Sequence, residues 1–512
     1  MTTLTALYPI SEIREIEHAA SAGLPAGTLM QRAGVAAAQL AQSLIPDTLF
    51  GNDDQPVLIL AGPGNNGGDA LEVAANLADA GFKVCVLLYA DETRQSTEAQ
   101  QALLRARSTQ VRFEDTSHAA QTLEESWALV VDGLFGIGLV RPVTGALREL
   151  VDGINRLACP VLALDIPSGI DADTGVVVGD SVAIRASHTI TFIGDKLGLH
   201  TGQARDYTGR ITVCDLDLAP TCFNEPVAFL NSIDLFSGSL RQRAHHSHKG
   251  SNGDVAVIGG AAGMGGAPIL SARAAAQAGA GRVFVGFVDA APSYDSRHPE
   301  LMLRQAQALD FATATLVVGP GLGNSNDARA LLHRALQTSS PLVLDADALN
   351  LLATDAELQQ TLAQRTGSTI ITPHPLEAAR LLSLSTATIE SDRPAAVRSL
   401  ARRFNAIAIL KGSGTVIADP AGRIVINPTG NPALATAGTG DVLAGICGAL
   451  LAQDWPQWRA ALAAVWLHGQ AADDLVAQGV GPIGLTASEL IPAVRARLNS
   501  LVAQHASRRF AL

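Results

Sequence analysis

Residues 62–69, Gly-Pro-Gly-Asn-Asn-Gly-Gly-Asp, directly follow the apolar segment 57–61. Glycines allow backbone N–H groups to approach an anion, and the N-terminus of a following helix adds positive potential. Residues 71–81 have a helical pattern, so this part of the chain predicts a strand, an anion-binding turn and a helix. Asn65 and Asn66 can donate and accept hydrogen bonds, and Asp69 adds a negative charge. These residues predict a site for a polar ligand and a cation; a tight turn without a ligand is the alternative.

Two further aspartates each end an apolar segment, Asp132 in Val-Val-Asp-Gly and Asp165 in Ala-Leu-Asp-Ile-Pro-Ser-Gly. A carboxylate at the carboxyl end of a parallel strand faces the ligand crevice, where desolvation raises its pKa toward that of a useful base. For either aspartate alone, a helix cap or a turn is the alternative. Residues 136–142 form a second glycine-containing loop, in which Arg141 is a cation suited to a phosphate.

In the second half, Gly438, Thr439 and Gly440 open an Ala/Leu-rich segment with helical character. Their N–H groups predict an anion hole, and Asp441 lies in its first turn, where it could act as a base or only cap the helix. Residues 411–415 predict a second phosphate-binding turn. Residues 259–267 and 319–323 are further glycine-rich segments whose backbone could approach a ligand. The histidine at position 374 lies between two prolines, which is consistent with a fixed polar contact.

Strand and helix patterns alternate along most of the chain, which predicts an α/β fold: a doubly wound, mostly parallel sheet in the first half and a second α/β series in the second half. Residues 10–45 have a helical pattern. The predicted strands lie at residues 57–61, 84–88, 128–132, 161–164, 189–193 and 211–214, and then at 254–258, 283–288, 315–318, 342–345, 369–372, 407–410 and 423–426. The pattern is interrupted near residue 225, where we expect the domain boundary.

The composition excludes several classes of protein. Among 512 residues, a hydrophobic content of 47% is sufficient for two cores, and a net charge of −12 argues against a nucleic-acid partner. The five cysteines have no C-x-x-C spacing, which indicates neither a zinc site nor a disulfide framework. No apolar segment approaches about 18 residues, the length needed to span a membrane. We therefore expect a cytoplasmic protein without a membrane partner.

These motifs together carry a resemblance to known families. The first half resembles the YjeF N-terminal family, the NAD(P)H-hydrate epimerases, through residues 62–69, 132–142 and 165–169. The second half is similar to the ADP-dependent NAD(P)H-hydrate dehydratases, which have a ribokinase-like fold. Its matching segments are residues 248–250, 259–267, 319–323, 344–350, 372–377, 411–415 and 438–441. The segments follow the order of the fused bacterial repair enzymes, which implies a Rossmann-like epimerase domain at residues 1–224 and a ribokinase-like dehydratase domain at 225–512.

The resemblance also implies roles for individual residues. Asp165 would be the acid/base of the epimerase, and Asp441 the base of the dehydratase. The residues implied to contact the hydrated nucleotide in the first half are Asn65, Asn66, Gly67, Gly68, Asp69, Gly136, Ile137, Gly138, Leu139, Val140, Arg141 and Pro142. Those implied to contact it in the second half are Ala267, Gly321, Gly323 and His374. The residues implied to bind the adenine nucleotide are Lys411, Gly412, Ser413, Gly414, Thr415 and Gly440. The residues implied to hold a potassium ion are Asn66, Asp132 and Ser168.

The implied activity is the repair of hydrated NADH and NADPH (NADHX and NADPHX), in which R and S hydrates are interconverted and the S form is dehydrated at the expense of ADP. The implied cofactors are K⁺ in the first half and Mg²⁺ with ADP in the second, and we expect a homo-oligomer. Gln31 departs from the glutamate that we expect at its position. Two alternatives stay open: a ribokinase-like kinase of a small alcohol, and a Rossmann-like first half that serves only as a binding or scaffold domain.

Overall fold

The computed structural model describes residues 4–45 and 55–510, which fall into two compact units, residues 5–227 and 228–512. The strands of the first unit are β1 (Ala6–Tyr8), β2 (Val57–Ala61), β3 (Val84–Leu88), β4 (Arg112–Glu114), β5 (Leu129–Gly133), β6 (Val161–Leu164), β7 (His188–Phe192), β8 (Asp195–Lys196) and β9 (Arg210–Cys214). Its helices are α1 (Ile10–Ser21), α2 (Thr28–Leu44), α3 (Asn65–Asp79), α4 (Thr97–Arg107), α5 (Ala119–Thr122) and α6 (Ala146–Ile154).

Seven of these strands form a sheet in the order β4-β3-β2-β5-β6-β7-β9, and every pairing is parallel. Strands β2, β3 and β6 are continuous apolar runs because both faces of a parallel sheet are covered. From β2 the chain adds β3 and β4 toward one edge of the sheet, and from β5 it adds β6, β7 and β9 toward the other edge. The direction of strand addition therefore reverses between β2 and β5. That topological switch point places a ligand crevice at the carboxyl ends of β2 and β5, and the doubly wound fold is confirmed.

Two helix predictions in this unit need correction. The helix expected from residue 71 begins at Asn65 instead, so the asparagines and Asp69 lie in its first turns rather than in a preceding loop. The helical segment 10–45 is divided into α1 and α2 by residues 22–27, and Gly27, at φ +79°, is the N-cap of the second helix. Both boundaries depend on tertiary packing, which periodicity does not report.

The second unit contains β10 (Ala228–Leu230), β11 (Asp254–Gly259), β12 (Arg282–Phe287), β13 (Met302–Gln305), β14 (Thr315–Val318), β15 (Leu342–Leu344), β16 (Thr369–Ile371), β17 (Ile407–Leu410), β18 (Val416–Ala418) and β19 (Ile424–Ile426). Its helices are α7 (Ile233–Phe236), α8 (Gly266–Gln277), α9 (Asn326–Leu336), α10 (Asp347–Ala353), α11 (Ala356–Ala363), α12 (Pro375–Leu382), α13 (Thr386–Ser391), α14 (Arg393–Phe404), α15 (Thr439–Ala452), α16 (Gln457–Ala477) and α17 (Ala487–Phe510).

Its strands follow the order β13-β12-β11-β14-β15-β16-β17-β18-β19-β10. The pairings are parallel except for β17 with β18 and β18 with β19, which are antiparallel. Helices α8, α15 and α16 bury their Ala-rich faces against the sheet in a single large core. The α/β fold class is confirmed here also, and the loops after β11, β14, β15, β16 and β17 come together at the strands' carboxyl ends. Within residues 4–45 and 55–510, no helix is long and apolar enough to cross a membrane.

Candidate active sites

In the first unit, the backbone of the turn after β2 packs directly against itself and against the backbone of the loop after β5. A Cβ on Gly62 would lie 1.8 Å from the carbonyl oxygen of Leu134, and one on Gly67 would lie 1.9 Å from that of Gly62. Only glycine fits at these two positions. The close approach brings the start of α3 beside the loop after β5, which carries Gly136.

Asp165 follows β6 and adopts φ +65°, an uncommon conformation for a residue with a side chain. Its Oδ1 accepts a hydrogen bond of 2.6 Å from the ammonium of Lys196, a side chain with no exposed surface. That ammonium also donates to Thr191 Oγ1 at 2.7 Å and to the carbonyl oxygen of Phe192 at 3.0 Å. The structure therefore fixes Asp165 against a buried positive charge.

The second oxygen of Asp165 faces the loop at Gly136. A Cβ on Gly136 would lie 3.5 Å from Asp165 Oδ2 and 3.3 Å from the Cβ of Asn66, so both side chains lie close to this glycine. The side chain of Asn66 is buried, and neither its Oδ1 nor its Nδ2 has a hydrogen-bond partner within the described residues. An amide in this state is available to a ligand.

Asp132 is completely buried at the end of β5. It accepts hydrogen bonds from the Ser168 backbone N–H at 2.8 Å, from Ser168 Oγ at 2.6 Å and from the Leu134 N–H at 3.2 Å. Burial raises the pKa of Asp132 to about 6 although these hydrogen bonds act to lower it, and no cationic side chain among the described residues contributes. The carboxylate is thus a buried negative charge held by dipoles alone.

A cavity of about 980 Å³ opens beside these groups. It is lined by Asn65, Asn66, Asp69, Asp165 and all of loop 136–142. Burial, followed by the negative charges of Asp165, Glu17 and Glu72, raises the pKa of Asp69 well above its ordinary value. Most of the residues expected to contact the hydrate in this half are therefore brought together around one space.

Gly67 and Gly68 are the exceptions, since neither belongs to the described lining of the cavity. A Cβ on Gly68 would lie 2.5 Å from Cε of Met30, so this glycine allows α2 and α3 to pack closely. Two lining residues that the sequence did not single out are Arg14 and Glu17 of α1. Gln31, in α2, is exposed and outside the described lining.

In the second unit, Gly438, with φ +88°, is the N-cap of α15, and Gly440 and Asp441 lie in the first turn of this helix. A Cβ on Gly440 would lie 3.3 Å from Lys411 Nζ, so this ammonium reaches the helix N-terminus. Burial, together with the charges of Asp345 and Asp347, raises the pKa of Asp441 to about 7, while Lys411 opposes the shift. Near neutral pH, Asp441 can therefore accept a proton.

Lys411 directly follows β17, and its ammonium lies 2.7 Å from Asp345 Oδ1 and 4.0 Å from Glu377 Oε2. Asp345 is 1% exposed at its side chain and also accepts a hydrogen bond of 2.8 Å from Thr372 Oγ1. The carboxylates of Asp345 and Glu377 thus hold the lysine toward α15. Sequence reasoning assigns no role to either of them.

His374 begins α12 as its N-cap. Its Nδ1 accepts hydrogen bonds from the backbone N–H groups of Leu376 and Glu377, at 3.1 and 3.3 Å, and its Nε2 lies 3.3 Å from Glu377 Oε1. Burial, and then the charge of Lys411, lowers the pKa of His374, so the ring is neutral near pH 7. The cap fixes the orientation of a side chain that remains 46% exposed.

The turn 411–415 is supported from beneath by Arg393, whose side chain is 1% exposed. Its Nη2 donates to the carbonyl oxygens of Leu410 and Lys411, both at 3.2 Å. A Cβ on Gly412, at φ +140°, would lie 2.8 Å from the same nitrogen. The guanidinium therefore lies directly against the turn expected to bind nucleotide, and it comes from α14, a helix that sequence reasoning does not connect with the site.

The remaining expected contacts come from two glycine-rich turns that meet. A Cβ on Gly321 would lie 2.6 Å from the carbonyl oxygen of Met264 and 3.4 Å from the Cβ of Ala267. The backbone N–H of Gly323 donates to Asp347 Oδ2 at 2.9 Å. These contacts join the loops after β11 and β14 to Asp347 at the start of α10.

Two family models match the chain. Residues 26–198 match the YjeF-related protein N-terminus, and residues 255–494 match the NAD(P)H-hydrate dehydratase family. The bifunctional NAD(P)H-hydrate repair enzyme of Coxiella burnetii is 38% identical over 97% of this chain and 100% of its own length. The enzyme of that name from Escherichia coli is 38% identical over 95% of this chain and 92% of its own.

Among solved structures, the ADP/ATP-dependent NAD(P)H-hydrate dehydratase of Bacillus subtilis, co-crystallised with ATP and Mg²⁺, is 28% identical. It aligns with a TM-score of 0.48 over 53% of this chain and 98% of its own. The relatives that match nearly end to end, together with the two family models, establish that this chain belongs to the family of bifunctional NAD(P)H-hydrate repair enzymes.

Proposed function

We propose that this protein repairs hydrated NADH and NADPH. Residues 1–224 interconvert the R and S hydrates, and residues 225–512 remove water from the S hydrate at the expense of ADP, giving AMP and phosphate. One observation carries the proposal: in a chain of this family, Asp165 and Asp441 each lie among loops that the sequence predicts to bind ligand, and each has a lysine ammonium nearby. That of Lys196 beside Asp165 is fully buried, and that of Lys411 near Asp441 belongs to a side chain that is 20% exposed.

In the epimerase half, Asp165 is the acid/base, and the hydrated nucleotide binds in the cavity beside it. The loop 136–142 and the start of α3 contact the nucleotide, whose phosphates lie near the N-terminus of that helix. This assignment is supported by the lining of the cavity, in which the end of β6, loop 136–142 and the start of α3 all take part.

A potassium ion in this half would be held by Asn66, Asp132 and Ser168. The fit is supported by the unpartnered amide of Asn66 and by a buried Asp132 carboxylate that lacks a cationic neighbour among the described residues. All the donors are oxygens, as a hard cation prefers. When bound, the ion would supply positive charge for the nucleotide phosphates and offset the charge of Asp132.

In the dehydratase half, Asp441 takes the proton of the ring hydroxyl, and the resulting oxygen attacks the terminal phosphoryl group of ADP. The bond between the terminal phosphorus and the bridging oxygen breaks, which releases AMP with that oxygen and leaves a phosphate ester on the ring. Phosphate then leaves with the electrons of the carbon–oxygen bond, the neighbouring carbon loses a proton, and the reduced nicotinamide is restored. Lys411 and the N–H groups of Gly440 and its neighbours stabilise the transferring group.

The turn 411–415 holds the adenine nucleotide, and the hydrate lies against Ala267, Gly321, Gly323 and His374. Magnesium bound to ADP would neutralise its phosphates. The partners are small molecules, and we expect no nucleic acid. The five cysteines form no disulfide, which agrees with a cytoplasmic location. A homo-oligomer is the expected assembly, measurable by light scattering.

The test supplies racemic hydrate and ADP, and follows the absorbance band of reduced nicotinamide together with free phosphate. Asp165→Asn should convert the S portion at the normal rate and then stall at the rate of spontaneous epimerisation, measured without enzyme. Asp441→Asn should abolish dehydration and leave epimerisation intact. A matched control is Asp327→Asn, which changes an exposed aspartate in the first turn of α9.

A small-alcohol kinase with this fold would release a phosphorylated metabolite instead of reduced nicotinamide. A non-catalytic first half would give the same progress curve with and without Asp165. Either result would refute the corresponding half of the proposal.

A further inference from the structure

Helix α1 brings a carboxylate into the epimerase cavity to which no role has been assigned. Ile13 and Ile16 bury one side of this helix, and Glu17 lies at the edge of that buried side, lining the cavity with Arg14. Glu15, on the same helix, is exposed and is not part of the described lining. Glu17 and Asp165 therefore face one space from two different elements.

The charged groups that face Glu17 are Asp165 after β6, Lys196 in β8, Asp69 in α3 and Arg14 in its own helix. Burial and the charge of Asp165 raise the pKa of Glu17, while Lys196 and Arg14 act to lower it. Lys196 is committed to Asp165 by their 2.6 Å contact. Glu17 is therefore shifted toward its protonated form, while Asp165 remains paired with the ammonium.

Inversion of a hydrate needs two groups that handle protons. Water adds to reduced nicotinamide at the carbon beside the ring nitrogen, so the hydrate is a carbinolamine. Breaking its carbon–oxygen bond would leave an iminium that need only lose a proton to become reduced nicotinamide, and ADP would then be superfluous. Breaking the carbon–nitrogen bond avoids this outcome, and it requires a base at the hydroxyl and an acid at the nitrogen.

Resting on the proposed epimerase function, we propose that Glu17 is the second catalytic residue of this site and protonates the ring nitrogen. Asp165 takes the hydroxyl proton as the carbon–nitrogen bond breaks, which gives an aldehyde and an N–H whose proton comes from Glu17. Rotation about the adjacent carbon–carbon bond exposes the other face of the aldehyde. The nitrogen attacks that face and returns its proton to Glu17, and Asp165 returns its proton to the oxygen, so no atom or electron is gained or lost.

The experiment uses the full chain with purified R hydrate and ADP, so that reduced nicotinamide appears only after epimerisation. Glu17→Gln should slow this conversion by about 10²–10⁴-fold, the range for loss of a general acid. Glu15→Gln, the matched control, should match wild type, and both variants should dehydrate purified S hydrate at the wild-type rate. Glu17→Asp should recover part of the activity.

Two further readouts separate catalysis from a merely structural role. The wild-type epimerisation rate should fall on the alkaline side as the acid loses its proton, and Glu17→Gln should lose that dependence while Glu17→Asp keeps it. Hydrate labelled with oxygen-18 at its hydroxyl should keep the label during epimerisation. Loss of the label at the rate of epimerisation would overturn the carbon–nitrogen step.

Wild-type rates in Glu17→Gln, with an active parent enzyme, would overturn the role of Glu17. A loss of epimerisation in Asp69→Asn, together with normal rates in Glu17→Gln, would also overturn it, because Asp69 would then be the group that protonates the ring nitrogen. Absence of epimerisation in the wild-type chain would instead refute the proposed function itself. If Glu17→Gln does not fold, an alkaline limb missing from Glu17→Asp would overturn the inference.

Discussion

The rate of dehydration should follow the ionisation of Asp441. Its carboxylate is proposed as the base, and burial with its acidic neighbours raises its pKa to about 7. Only the ionised form can take the hydroxyl proton, so activity should be lost as pH falls through that value. Asp441→Asn keeps the size and polarity of the side chain but removes the base.

The magnitude follows from the ionised fraction. With a pKa of about 7, roughly half of Asp441 is ionised at pH 7, about one tenth at pH 6 and about one hundredth at pH 5. The rate should therefore fall about tenfold for each pH unit below 6. An aspartate at its ordinary pKa, near 3.8, would give almost no change across this range. Asp441→Asn should cost about 10²–10⁴-fold and leave no such slope.

The assay supplies purified S hydrate with saturating ADP and measures initial rates between about pH 5 and 8, with folding checked at each pH by circular dichroism. Asp347→Asn is the internal control, since Asp347 raises the pKa of Asp441 and its asparagine analogue can still accept the N–H of Gly323. That variant should move the acidic limb to lower pH. A flat wild-type profile, or near-normal dehydration by folded Asp441→Asn, would refute the reasoning.

Lys196→Met should abolish most epimerisation and lower the free energy of unfolding by about 3–5 kcal/mol in urea titrations, because it leaves the Asp165 carboxylate without its cationic partner. An unchanged midpoint would contradict this. Arg393→Lys should raise the KM for ADP about tenfold and change the KM for the S hydrate little. The reason is that only the turn 411–415, which is expected to bind the nucleotide, loses its hydrogen bonds from the guanidinium. Equal changes in both constants would argue for a general loss of structure. Replacing K⁺ with tetramethylammonium should slow epimerisation and spare dehydration, as measured on the two purified hydrates. Fragments 1–224 and 225–512 should each fold and keep one activity, and failure of both would refute their independence.

The sequence is a good guide to the central strands of both sheets. Buried parallel strands are uninterrupted apolar segments, and the strands predicted at 57–61 and 84–88 coincide with β2 and β3. Strand β4 escapes prediction because it is short and polar, at the edge of its sheet. The predicted start of α3 lies six residues too late, because glycine and asparagine have low helix propensity and packing decides the helix start.

The sites are only partly accessible to sequence reasoning. Because parallel strands end at one edge of a sheet, the sequence predicts Asp132 and Asp165 at the same crevice. Asp165 lines the cavity there, whereas Asp132 is fully buried and is not part of its described lining. Lys196 gives no signal because lysine is almost never fully buried, and Glu17 looks like the solvent side of an amphipathic helix. Arg393 acts on a turn 18 residues further along the chain, a distance over which local patterns carry no information.

The glycines of the turn after β2 and of the loop after β5 differ in how readily they can be substituted. Gly62 and Gly67 lie against backbone, so a laboratory library that varies them will sample mainly collapsed sites rather than altered specificity. Gly64 and Gly138 have no atom within 4 Å of an added Cβ, and Gly64 has the ordinary φ of −99°. Directed evolution toward other hydrated dinucleotides can therefore introduce larger side chains at Gly64 and Gly138, but hardly at Gly62 and Gly67. Homologues should show the same division: the residues at positions 64 and 138 should vary, and glycine should be retained at positions 62 and 67.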